Sequence, residues 1–143
     1  MAFVNPSTET IQSLLRRARI VAVVGLSDNP QRPSHEVATA LIAHGYRVIP
    51  VNPALTAWQG IRAVPDLDHL GDVLGPGEHV DIVDVFRHPQ YVGPIVADCI
   101  RLKLPVVWLQ LGVVDEAAAQ LAVDAGITVV MDRCMKIERM KMR

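Results

Sequence analysis

The chain has 143 residues, half of them apolar, so it has room for one core and no evident second catalytic unit. Fourteen basic against fifteen acidic residues leave a net charge of −1, which offers no footprint for nucleic acid. No apolar stretch approaches the roughly 18 residues of a membrane span, and the opening "MAFVNPSTET" lacks a basic-then-apolar leader. A cytoplasmic protein is expected.

In chain order, Ile11, Leu14, Leu15 and Ala18 mark the inner stripe of a helix within residues 1–19, capped by Asn5 or Ser7. Five short apolar runs follow: "IVAVV" (Ile20 to Val24), "RVIPV" (Arg47 to Val51), "VDIVDVF" (Val80 to Phe86), "VVWL" (Val106 to Leu109) and "ITVVM" (Ile127 to Met131). They are β-branched and apolar on both faces, as strands of a parallel sheet covered on each side must be. Val37, Ala38, Leu41 and Ile42 mark one intervening helix; Ala117, Ala118, Leu121 and Ala122 mark another. Gly45 and Gly126 stand where these helices end. The segment 54–79 is variable in character and has room for one short helix around Asp66 to Leu70.

Alternating strands and helices specify a doubly wound, Rossmann-like five-stranded α/β sheet, most simply in the order 3-2-1-4-5, forming a single domain over 1–143. Ligands of such sheets sit beyond the carboxyl ends of the strands where the winding reverses, between strands one and four in that order. The residues at these ends are Gly25-Leu26-Ser27, Asn52-Pro53, Phe86-Arg87-His88 and Gln110-Leu111-Gly112.

The first loop, "GLSDNPQRPS", combines a glycine that permits close backbone approach, the Ser27 hydroxyl, Arg32, and Pro33 opening a helix. The first N–H groups of that helix, from Ser34, His35 and Glu36, lack intrahelical acceptors and favour a phosphate, which Arg32 can grip bidentately. Competing readings make Gly25 a plain turn residue, Arg32 a surface charge and Ser34 a cap. NAD fits badly, because the second glycine of GxGxxG is replaced by Ser27 and Asn52 stands where an acid should hold the ribose. A GK[ST] phosphate loop is absent as well.

The ordered segments "VVGLSDNPQRPSHEVATAL", "GYRVIPVNP", "DIVDVFRHPQ", "VVWLQLGV" and "VVMDRC" resemble the small stand-alone CoA-binding proteins. These are relatives of the N-terminal CoA-binding domain of the succinyl-CoA synthetase alpha subunit. The resemblance implies coenzyme A or an acyl-CoA as the cofactor. It places the pyrophosphate near Gly25, Leu26, Ser27, Arg32, Pro33 and Ser34, the adenosine near Asn52, Pro53, Phe86 and Arg87, and the pantetheine toward Gln110 and Gly112. The synthetase's catalytic histidine lies in a second domain, and none of the five histidines here maps to it.

A non-catalytic carrier, sensor or regulatory module is therefore expected, with no metal, no nucleic acid, no membrane, and a homo-oligomer or other protein partner left open. The alternative, a small NAD(P)- or nucleotide-dependent enzyme, rests on fold analogy alone. Asp84, inside an apolar strand, is expected to pair with Arg87 or Arg133. Cys99 reads as a buried helix residue, Cys134 as a packed thiol with the CoA sulfur as a minority partner, and the tail from Lys136 as a solvated or partly packed end.

Overall fold

The computed structural model describes residues 3–142; residues 1, 2 and 143, at the ends of the expected 1–143 unit, lie outside them. Ser7 caps helix α1 (Thr8–Arg17) by accepting the Thr10 N–H, and Ile11, Leu14 and Leu15 face inward as their spacing predicts. Asn5 does not cap. Its side-chain amide donates to the Met131 carbonyl and accepts the Met131 N–H, so it covers an exposed strand edge.

The chain continues through β1 (Ile20–Val24), α2 (Pro33–Ala43), β2 (Arg47–Val51) and a two-residue hairpin of β3 (Ala57–Trp58) and β4 (Ile61–Arg62). A 3₁₀ turn at Leu67–Asp72, capped by Asp66, occupies the place expected for a short helix. Then come β5 (Ile82–Val85), α3 (Val92–Arg101), β6 (Val106–Leu109), α4 (Glu116–Asp124), β7 (Thr128–Met131) and α5 (Met135–Met140). Among the described residues no helix is long and apolar enough to cross a membrane.

The doubly wound parallel sheet is present, in the order β2-β1-β5-β6-β7. Counting the five apolar runs, this is 2-1-3-4-5, which corrects the expected 3-2-1-4-5. Pro50 supplies the physical reason. In β2 the Val51 carbonyl accepts the Gly25 N–H on the β1 side, while the Pro50 carbonyl accepts the Val64 N–H on the opposite side. The nitrogen of Pro50 therefore faces away from β1, and a proline there cannot donate to a second ladder, so β2 is confined to the edge. The third run pairs with β1 instead, and the reversal of winding lies between β1 and β5.

Helices α1, α2 and α5 share one apolar layer with Val21, Val23, Ile82, Trp108 and Val130. The 3₁₀ turn, α3 and α4 share the other with Ala22, Val83, Val107 and Val129. Two helix stripes are rotated relative to expectation. Ile42 is 39% and Leu121 62% exposed, and α4 buries Ala118, Ala119 and Ala122. Small side chains let α4 lie close to the sheet, and a leucine at that contact would hold it off.

Candidate functional site

The site grows from the end of β1. Gly25 adopts φ +84°, and a Cβ there would stand 2.6 Å from the Phe86 carbonyl oxygen. The close approach that demands glycine is thus made by the neighbouring strand's backbone. Leu26 turns its side chain fully into the core, and Pro53 lies outside the cleft described below.

The loop that follows is held by its own polar groups. The Ser27 hydroxyl accepts the Asn29 N–H, and the Asn29 side-chain oxygen accepts the Gln31 N–H. Ser34, almost fully buried, accepts the Ser27 N–H at 3.0 Å. The Asn52 amide donates to the Leu26 carbonyl, and the Trp58 indole donates to the Ser27 carbonyl. Trp58 went unnoticed in the sequence, since its β3–β4 hairpin is too short to give a periodic signal; the Gln59-Gly60 pair at positive φ was its one cue.

Of the three N–H groups expected to be free at the start of α2, His35 and Glu36 donate to the Arg32 carbonyl. Only that of Ser34 has no protein acceptor among the described residues.

Beyond these strand ends opens a cleft of about 900 Å³, of the size that takes a cofactor. Ten of the twelve expected residues line it: Gly25, Ser27, Arg32, Pro33, Ser34, Asn52, Phe86, Arg87, Gln110 and Gly112. Arg32 is exposed and takes part in no ion pair among the described residues. The Arg87 guanidinium lies 4.3 Å over the Tyr91 ring, which fixes the cation at the wall of the cleft.

Among the cleft residues that sequence reasoning missed, Lys136 and Ile137 come from α5. The tail, expected to be a solvated or partly packed end, forms this helix and is partly packed, with Met135 and Glu138 buried and Ile137 and Met140 exposed, and Lys136 bonds Glu36 of α2 at 2.6 Å across the cleft. That hydrogen bond lowers the Glu36 carboxyl and raises the Lys136 ammonium from their ordinary values. Gln110 accepts the Met135 N–H and Trp108 donates to the Arg133 carbonyl, which seats α5 on the end of β6. Gly112, at φ +81°, donates its N–H to Asp132.

Asp84 makes no ion pair with Arg87 or Arg133. It is fully buried, both its oxygens lack a hydrogen-bond partner, and burial raises its carboxyl well above the ordinary value. It shares a sheet face with Ile82 and is flanked in register by Val23 and Trp108, outside the cleft. Of the histidines, His88 lines the cleft, His35 packs edge-on against Trp58, and His69 and His79 pair with Asp66 and Asp81. Among the described residues no group of three metal-ligating side chains assembles.

A family model described as CoA binding domain matches residues 19–140. The chain belongs to this family. The CoA binding domain is 41% identical over 133 residues to YneT of Bacillus subtilis strain 168, spanning 93% of this chain and 94% of that protein. Among solved structures it is similar to cell-free ID.343 from Thermus thermophilus, at 35% identity and TM-score 0.84, covering 95% of this chain and 98% of that one. A Pyrococcus horikoshii OT3 protein aligns at 31% identity and TM-score 0.84, over 99% and 98% of the two chains.

Proposed function

We propose that this chain binds coenzyme A or an acyl-CoA in the cleft over β1 and β5, and serves as a carrier, sensor or regulatory module. The observation that carries the reading is the braced loop at the reversal of winding, with the unpaired Arg32 beside it, in a chain of the CoA binding domain family. The diphosphate rests against Ser27, the Ser34 N–H and Arg32, where a helix start and a guanidinium both favour anions. The adenosine lies toward Asn52, Phe86 and Arg87, and the pantetheine runs toward Gln110 and Gly112. The Leu26 side chain is buried in the core and Pro53 lies outside the cleft, so neither is given a role here.

A binding role is supported by how the hydroxyls are used. Ser27 and Ser34 spend their oxygens on backbone N–H groups of the loop, and among the described residues neither is paired with a histidine or a carboxylate that would activate it.

Thermal melts with a ligand series test the proposal. CoA at a hundred times its dissociation constant should add about 2.7 kcal/mol, a few degrees in Tm for a domain of this size. Dephospho-CoA and ADP at equal concentration should give smaller shifts, and NAD or NADP essentially none. A shift with NAD equal to that with CoA would overturn the proposal and favour a dinucleotide enzyme.

A further inference from the structure

The wall of the cleft carries Ser27, Arg32 and Arg87, and also the apolar side chains of Leu111, Val113 and Ile137. Leu111 is 58% exposed and Ile137 45%, and they come from separate elements, the loop after β6 and helix α5. Met140, 62% exposed, follows Ile137 by three positions on the same helix face. A single exposed leucine needs no explanation, but exposed large apolar residues from two elements in the wall of a cationic cleft mark a place for an apolar group.

Gln110 lines the same wall. It is 4% exposed, and its Oε1 accepts the Met135 N–H at 3.0 Å, which sets the orientation of the amide. Its Nε2 has no protein acceptor among the described residues and is left as a donor in the cleft wall. Such a donor is met well by a carbonyl oxygen and poorly by a thiol. The pantetheine amides also offer carbonyls, so the apolar side chains carry the distinction between a thiol and a thioester.

We propose that the ligand retained here is an acyl-CoA thioester whose apolar acyl group of several carbons lies on Leu111, Val113 and Ile137. This rests on the CoA reading above and narrows it: free CoA would leave Leu111 and Ile137 in water.

Calorimetry of the wild-type chain and a Leu111→Ser/Ile137→Ser double variant, each with free CoA, acetyl-CoA and hexanoyl-CoA, tests the inference. A fully buried methylene is worth up to roughly fourfold in affinity. Hexanoyl-CoA should therefore bind the wild type at least about tenfold more tightly than free CoA, with acetyl-CoA between them. In the double variant, altered only at exposed positions, that ratio should fall toward one. Equal wild-type affinities for free CoA and hexanoyl-CoA would overturn the inference while leaving the CoA site standing. A ratio that persists in the double variant would overturn the assignment of these residues. Binding of neither ligand would remove the CoA reading itself and this inference with it.

Discussion

The Ser34 hydroxyl accepts the Ser27 N–H at 3.0 Å and ties the first turn of α2 to the end of β1. The bond spans the loop on which the proposed diphosphate site depends. Ser34→Ala removes the acceptor in a nearly closed environment and should cost about 1–3 kcal/mol of stability by urea unfolding. CoA affinity should fall several-fold alongside. An alanine variant that unfolds and binds like the wild type would mean that Asn52 and Trp58 hold the loop unaided.

Arg32 has the opposite profile, since it is exposed and serves no structural ion pair among the described residues. Arg32→Ala should weaken CoA binding by about 1.5–3 kcal/mol and leave the Tm of the free protein nearly unchanged. Arg32→Lys should recover only part of the affinity, because an ammonium cannot reproduce a bidentate contact. Equal calorimetric affinities for wild type and alanine variant would remove Arg32 from the site.

Two glycines separate backbone strain from steric conflict. Gly25 and Gly112 both hold positive φ, yet a Cβ at Gly25 would meet the Phe86 carbonyl at 2.6 Å whereas one at Gly112 meets nothing within 4 Å. Gly112→Ala should cost about 1 kcal/mol, the strain of the left-handed conformation alone. Gly25→Ala should cost more, about 2–4 kcal/mol, because the β1 and β5 ends must also part. Similar losses at the two positions would refute the close approach.

Asp84 makes stability depend on pH. Its ordinary value is 3.8 and burial raises it well above that in the folded chain. Between the unfolded and folded values, the native state holds a proton that the unfolded state has released. Stability is therefore fully present at acid pH below the unfolded value, and is lost as pH rises toward and through the folded one, by at most about 1.4 kcal/mol per pH unit. Asp84→Val should stabilise the protein by about 1–3 kcal/mol at neutral pH, since it removes two unpartnered oxygens from an apolar layer. The gap between variant and wild type should widen as pH rises above the ordinary carboxyl value of 3.8. A constant gap above that value would show that Asp84 does not titrate with folding.

The two thiols should differ in reactivity. Cys99 is fully buried in α3, and burial pushes its thiol up to about 12, whereas Cys134 is half-buried and lines the cleft. A thiol reagent should modify Cys134 in the native protein and Cys99 only after unfolding, with CoA slowing the first reaction. Mass mapping that finds Cys99 modified first would contradict the burial of α3 against the sheet.

How far the sequence reached differs from element to element. The apolar runs and the spacing of Ile11, Leu14 and Leu15 locate strands and a helix because local periodicity alone produces them. The strand order was legible only through Pro50, whose missing N–H bars an interior place. The rotated stripe of α4 was not legible, because Ala118, Ala119 and Leu121 are equally apolar and only the distance from helix to sheet separates them.

The same division holds at the site. Glycine, hydroxyl and arginine in the first loop, and the ordered motifs that resemble CoA-binding proteins, are local features, and the sequence alone determined that the strand ends were the place to look. Only the tertiary structure decided that the Ser34 side chain closes the loop, that Trp58 braces it, that the Phe86 backbone stands against Gly25, and that α5 walls the cleft with Lys136 reaching Glu36. Each of these joins residues distant in the chain or turns on whether a polar group finds its partner next door or across a strand. Nothing in local order sets that; it follows from how the layers pack.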